Sequence, residues 1–429
     1  MTLRSHARKN SLPGADDITR TQLANGITVL TRSNYNSPSV VISGYLSSGS
    51  LFDPDEKLGL AYFTSLALMT GTARRNFQQI YDNLESAGAS LGFTSGVHTT
   101  GFGGRALAED LPMVLDLIAE VLYQPAFAVD QVERLRAQIM TGLAIRAQDT
   151  SDMSSLAFDQ MIYPGHPYSR PEDGYVETVR AISAADLAAF HQLHYGPRHM
   201  VIVIVGAVSA AQVIDEVNRT LGGWQNPAQP DAPTLPNLEP ISVEKRQHIA
   251  IPGKSQTDLV MGSNGPTRLA PDFIAASLGN NILGQFGMFG RIGDVVRERS
   301  GLAYYAYTSL NSGMGPGTWE VSAGINPTNL EKTITLVKGE ISRFVTELVS
   351  HEELSDSQAN YIGRLPLSLE SNGGVASALI NLERFSLGLD YYRDYSSLIK
   401  KVTLEQILMA GQHYLNPEHL AIASAGPAL

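Results

Sequence analysis

The sequence contains no cysteine. Disulfides, iron–sulfur clusters, thiolate zinc sites and a cysteine nucleophile are thereby excluded, and His, Asp and Glu are left to ligate any metal. The absence is compatible with a reducing compartment. Long apolar runs are missing too: nothing approaches the roughly 20 residues that a membrane-crossing helix needs. Arg4, Arg8 and Lys9 give a basic start, but Pro13, Asp16 and Asp17 follow without an apolar stretch between. A secretory leader is therefore not expected, and the reading is a cytoplasmic protein. Basic charge is scarce as well. Lys plus Arg number 31 against 42 acids, a net charge of −11, which argues against a nucleic-acid binder that needs a basic face.

What the chain does have is core-forming material. Of its 429 residues 43% are hydrophobic and 17% charged, a globular composition sufficient for two or three domains of about 150 residues. Prolines 227, 230, 233, 236 and 240 punctuate the segment 226–240, which excludes a helix or central strand and predicts an extended connector. It separates an N-terminal domain, residues 1–225, from a C-terminal one, residues 241–429.

The two halves look duplicated. SAADLAAFHQLHYGPRHMVIVIVG from Ser183 and TLEQILMAGQHYLNPEHLAIASAG from Thr403 align at a constant offset of 220 residues, which pairs Pro197 with Pro417 and Gly206 with Gly426. Each reads as a Ser- or Thr-capped helix, a proline turn and an apolar strand. In the first half, Gly26–Ser33, Val40–Leu46 and the glycine-rich Gly92–Ala108 carry strand patterning. Gly59–Met69, Asn76–Ala87, Glu109–Leu122, Asp130–Ala147 and Ser154–Ile162 carry helical patterning. Strands and helices in separate groups predict an α+β class. Each domain is expected to be a mainly antiparallel sheet packed against a layer of helices.

Several segments together carry a resemblance. They are LANGITVLT from Leu23, SSGSLFDPDEKLGLAYF from Ser47, RPEDGYVETVRAIS from Arg170, RIGDVVRERSGLAYYAYTS from Arg291 and PGTWEVSAGINP from Pro316. On these the chain resembles the peptidase M16 family (pitrilysin and mitochondrial processing peptidase) in its short two-domain form. The resemblance implies a metallopeptidase-like fold of the LuxS/MPP type and a peptide substrate.

Active members of that family carry His-x-x-Glu-His on the helix after Gly-Leu-Ala. Histidines at i and i+4 share a helical face and ligate one zinc, and the Glu serves as general base. With Gly-Leu-Ala at Gly59–Ala61, the histidine positions fall on Tyr62 and Leu66 and the base position on Ser65. The family's third ligand, a Glu on a later helix, falls in register near Gly142–Leu143. The expectation is a degenerate zinc motif with no metal or other cofactor in this chain, and with zinc held only by a partner subunit. The helix itself is expected to be an apolar packing element.

A second family element is intact. In active pairs an Arg and a Tyr seven residues apart reach from one subunit toward peptide bound near the other's zinc. Arg297 and Tyr304 stand at that spacing in RERSGLAY. An arginine can hold a substrate carbonyl or carboxylate, and a tyrosine hydroxyl can donate to an oxyanion during amide attack. The plain alternative is a surface arginine with Tyr304, Tyr305 and Tyr307 as sheet packing. The preceding loop, LGQFGMFG, corresponds to a glycine-rich substrate-handling loop of the family. Gly284, Gly287 and Gly290 would let a peptide approach closely, and Phe286 would offer an apolar contact.

Other candidates have structural readings. His191, His194 and His199 could suggest a metal cluster, but no acid completes it, and packing or surface roles are favoured. His351-Glu352-Glu353 reads as a helix N-terminus, Gly165–Tyr168 as an ordering loop, and Glu370–Gly374 as a break between helices. Two functions remain open. One is a non-catalytic subunit of a heterodimeric zinc peptidase, paired with an M16 paralogue bearing His-x-x-Glu-His and acting on unfolded or short peptides. The other is an inactive homodimer that binds peptides or serves as a scaffold.

Overall fold

The computed structural model describes residues 12–285 and 290–428. Among them run eleven strands: β1 Thr19–Gln22, β2 Thr28–Ser33, β3 Ser39–Leu46, β4 Ser90–Ser95, β5 Thr100–Leu107, β6 Val201–Gly206, β7 Lys245–Ala250, β8 Thr257–Gly265, β9 Ala303–Asn311, β10 Gly317–Ile325 and β11 Ala421–Gly426. They form two sheets, ordered β1-β2-β6-β3-β5-β4 and β7-β11-β8-β10-β9. In each sheet one pair is parallel, β2 with β6 and β7 with β11, and every other pair is antiparallel. The second order repeats the first from β2 onward, so the duplication in the sequence is a duplication of topology.

The chain divides into two compact units. The first holds the described residues up to Leu143, then Pro171–Thr234 and Leu365–Asp394; the second holds Ala144–Arg170, Leu235–Arg364 and the chain from Tyr395. The change of unit at residue 235 falls inside the proline-rich connector, which is neither helix nor strand. A single cut there does not separate the units, however, because each half of the sequence lends a helix to the other unit.

The central strands explain the exchange. VIVIVG at β6 is buried throughout, so both its faces need apolar cover. Ile202 and Ile204 point into the larger core, which includes the helices Leu60–Ala67 and Leu111–Tyr123. Val201, Val203 and Val205 point the other way, onto Val375, Leu379 and Leu382 of the helix Asn372–Arg384. In the second unit, Ile422 of β11 faces the main core. Ala421 and Ala423 receive Ala157, Phe158 and Ile162 of the helix Thr150–Ile162. Each sheet therefore has helices on one face and an exchanged helix on the other, beyond the one helical layer expected.

Local signals agree with these elements. Ser183 caps its helix with its hydroxyl on the Asp186 N–H, while the Asp186 carboxylate accepts from the Ser183 N–H at 2.8 Å. Thr403 and Gln406 repeat this reciprocal box in the second copy. The glycine-rich run 92–108 resolves into β4 and β5, and the break expected at 370–374 is confined to 369–371, because Ser371 caps a helix that already begins at Asn372.

Candidate functional site

The degenerate zinc motif lies on the helix Leu60–Ala67 of the first unit. Gly59 starts it with φ at +95°, and the Asp53 carboxylate accepts the N–H groups of Gly59 and Ala61, each at 2.9 Å. This left-handed start suits glycine, and a Cβ would also come within 2.9 Å of the Asp173 carbonyl oxygen. Phe63, Thr64 and Ser65 are fully buried, and Tyr62 and Leu66 pack half-buried against the same core.

None of these side chains fits zinc. The Ser65 hydroxyl donates to the Tyr62 carbonyl at 2.7 Å, so its proton is spent on the helix. Burial, and then the Asp173 charge, push the Tyr62 phenol above its ordinary pKa and hold it neutral. Leu66 has no donor atom. On the helix Val129–Arg146, Leu143 is buried in the core and Gly142 has no side chain. Among the described residues no three His, Cys, Asp or Glu come together as a metal-holding group.

The Arg297 segment belongs to the second unit. Arg297 sits in a widened turn, Asp294–Glu298, wound with i→i+5 hydrogen bonds, a geometry frequent at functional positions. Its side chain is 41% exposed and its Nε lies 3.6 Å from a Glu298 carboxylate oxygen. Tyr304 is the second residue of β9, an edge strand, and is 82% exposed. Its neighbours differ from it. The Tyr305 hydroxyl donates to Asp258 at 2.6 Å, and the Tyr305 and Tyr307 rings lie 5.7 Å apart. Sheet packing thus accounts for Tyr305 and leaves Tyr304 in solvent.

The glycine loop is placed in part. Phe286 and Gly287 lie outside the described residues. Gly284 is buried, and a Cβ there would meet Thr308 of β9 at 2.7 Å; one at Gly290 would meet the Gly284 Cα at 2.6 Å. Close packing therefore accounts for glycine at 284 and 290. Both residues are buried.

Arg291, whose role sequence reading missed, anchors this segment. Its Nε donates to Glu353 at 2.6 Å and its second guanidinium nitrogen donates at 2.8 Å, a bidentate pair. Glu340 lies 3.6 Å from its remaining nitrogen. Burial alone would raise the Glu353 pKa. Arg291 and the Ser350 N–H outweigh it and bring the carboxyl down to about 2. The pattern Ser350-x-x-Glu353, a capping box, was the signal available.

The histidines do not converge. His191 Nε2 meets the Leu122 carbonyl at 2.9 Å, which fixes Nε2 as the protonated nitrogen. His194 lies between Phe52 and Phe190 at 4.4 and 4.5 Å, and His199 is exposed in the turn before β6. His166 orders its loop by accepting the Tyr168 N–H at 3.1 Å.

Burial lowers His191 and His194 from 6.5 to about 4. Their folded pKa lies below the unfolded one, so the neutral rings stabilise the first unit fully above pH 6.5, and that stability is lost as pH falls toward 4. For His191 the effect should be on the order of 2–3 kcal/mol. Urea midpoints between pH 7 and 4 should fall, and His191→Gln should flatten the slope. An unchanged slope in that variant would contradict the assignment.

Comparison with known proteins agrees with this architecture. Residues 28–162 match the model of the Insulinase (Peptidase family M16) family, and residues 181–361 match that of the Peptidase M16 inactive domain. A Mycobacterium leprae protein named an uncharacterized zinc protease is 26% identical over 414 residues, 96% of this chain and 92% of its own length. Bovine cytochrome b-c1 complex subunit 1 is 26% identical over 269 residues, 62% of this chain and 55% of that protein. The crystal structure of a peptidase M16 inactive domain from Pseudomonas fluorescens has a TM-score of 0.89 at 26% identity, covering 96% of this chain and 98% of that one. With the sheet order, the duplicated units and these matches together, the chain belongs to the peptidase M16 family, in an inactive-type form without the His-x-x-Glu-His motif.

Proposed function

We propose that this chain is the non-catalytic subunit of a two-chain M16 zinc peptidase. One contrast carries the reading: Tyr62, Ser65 and Leu66 leave no zinc donor or base, while Arg297 and Tyr304 keep the family spacing and Tyr304 stands 82% exposed. A paralogue with His-x-x-Glu-His would supply metal and base. In that complex Arg297 would hold a carbonyl or carboxylate of the peptide, and the Tyr304 hydroxyl would donate to the oxygen that gains charge as the amide is attacked. Both are available for this, since among the described residues Arg297 has only a loose contact to Glu298, and Tyr304 is not consumed by packing. Unfolded or short peptides are the substrate class. The name of the bovine relative, a subunit of a complex, is consistent with a role inside an assembly.

Association tests the proposal. The purified chain mixed with an M16 paralogue from the same source that bears His-x-x-Glu-His should elute as a one-to-one heterodimer, with mass read by light scattering. A homodimer that persists in the mixture would overturn it in favour of an inactive peptide-binding or scaffold protein.

A further inference from the structure

The duplicated units differ on the face that carries the exchanged helix. Pairing registers align them: Val205 of β6 opposes Val41, which opposes Arg105, which opposes Ser90. At the 220-residue offset Ala425 opposes Asp258, which opposes Gly324, which opposes Tyr305. Tyr305 therefore corresponds to Ser90, and two residues on, Tyr307 corresponds to Gly92. In the second unit the Tyr305 ring covers its sheet so closely that a Cβ on Gly324 would meet it at 2.4 Å. In the first unit both rings are missing.

Their absence leaves a trough. Beside the helix Asn372–Arg384, one cavity of about 440 Å³ is floored by Gly92, Gly101 and Gly103 and walled by Ile380. A second cavity of about 780 Å³ shares Ser43 and Gly103 with it and contains Arg105. The chain's own packing does not require these glycines. A Cβ at Gly92 would meet nothing within 4 Å, and at Gly101 and Gly103 its closest neighbours would be 3.8 and 3.9 Å away, ordinary contact. The strand register runs through them without a bulge. Glycine in a regular strand costs stability, and where no bend explains it, it marks close approach by another group.

Two observations say which group. In the related unit Tyr307 stands where the first has Gly92, its ring 5.7 Å from that of Tyr305, and Tyr305 itself packs over a strand glycine, Gly324; an aromatic ring over strand glycine is a favourable packing. Arg105 is exposed, without an ion-pair partner among the described residues, in a chain of net charge −11. Glu370 lines the same cavity from the segment before the helix but forms no ion pair with Arg105 among the described residues. We infer that this trough is a peptide-binding subsite that takes an aromatic side chain on the Gly92–Gly103 floor and an adjacent carboxylate at Arg105.

Fluorescence anisotropy of this chain alone, with a short labelled unstructured peptide carrying a central Phe-Asp, tests the inference. Peptides with Ala-Asp or Phe-Asn at the centre should bind about tenfold more weakly, a difference near 1.4 kcal/mol. Gly92→Tyr, which restores the second unit's residue, should abolish Phe-Asp binding without lowering the thermal midpoint. Arg105→Gln should bind Phe-Asp peptide no better than wild type binds Phe-Asn. Absent binding by the wild type, or equal binding by folded Gly92→Tyr, overturns the inference. So does Arg105→Gln binding Phe-Asp as tightly as the wild type. The assay uses neither partner nor activity, so its failure leaves the subunit proposal standing, and the reverse holds.

Discussion

Arg291→Met should destabilise the second unit by about 3–5 kcal/mol, read as a lowered urea midpoint at pH 7. The side chain is 12% exposed, and its removal leaves Glu340, 4% exposed, and Glu353 without their shared cation. Arg343 still donates to Glu340 at 3.0 Å and the Ser350 N–H to Glu353 at 2.8 Å, which places the loss toward the lower end. Arg291→Lys keeps the charge but not the two-pronged geometry, and should fall between. The pH dependence has a definite sign. The folded pKa of Glu353 lies near 2, below its ordinary 4.5, so its stabilisation is complete above 4.5 and disappears as pH falls through 2. Arg291→Met should lose most of that dependence, the Ser350 N–H keeping the remainder. A shift below about 1 kcal/mol at pH 7 would mark the pair as a solvated surface contact.

Such an anchor lies beyond what sequence reading reaches. Arg291 was visible inside a family segment, but its partners sit on two helices, Leu330–Thr346 and His351–Ser368, far along the chain. Other features were legible because their physics is local. VIVIVG announces a strand covered on both sides, and Ser183 and Thr403 announce helix starts. The exchanged helices were not legible. Ala157, Phe158 and Ile162 mark an apolar face, but nothing in their spacing names the sheet that receives it. Alternation likewise places Tyr304 and Tyr305 on opposite faces of β9 without telling which face is covered. Gly284 and Gly290 show the same limit. A glycine that exposes an amide and one that admits a close neighbour look alike in sequence, and it is the contacts with Thr308 and between Gly284 and Gly290 that show close packing here.

The second large effect concerns turnover. In a mixture with the zinc-bearing paralogue, Tyr304→Phe should lower kcat about 10²–10³-fold with little change in KM, because its hydroxyl is assigned to charge that develops in the transition state. Arg297→Ala should lower kcat/KM to a similar extent and raise KM, because a guanidinium holding a carbonyl or carboxylate acts before attack as well. Neither side chain is buried, at 41% and 82% exposure, so both variants should retain wild-type stability within about 0.5 kcal/mol. That separation of activity from stability distinguishes substrate contact from packing. Equal kcat in Tyr304→Phe and wild type would remove the tyrosine from the proposed chemistry.

Peptide hydrolysis measured in parallel for this chain alone, for the zinc-bearing paralogue alone and for the equimolar mixture, all with zinc present, tests the central claim most directly. The account predicts no turnover above background for this chain, whose motif positions hold Tyr62, Ser65 and Leu66, and a rate in the mixture at least about tenfold above the paralogue alone. Hydrolysis by this chain on its own, or a paralogue as fast alone as in the mixture, would contradict it.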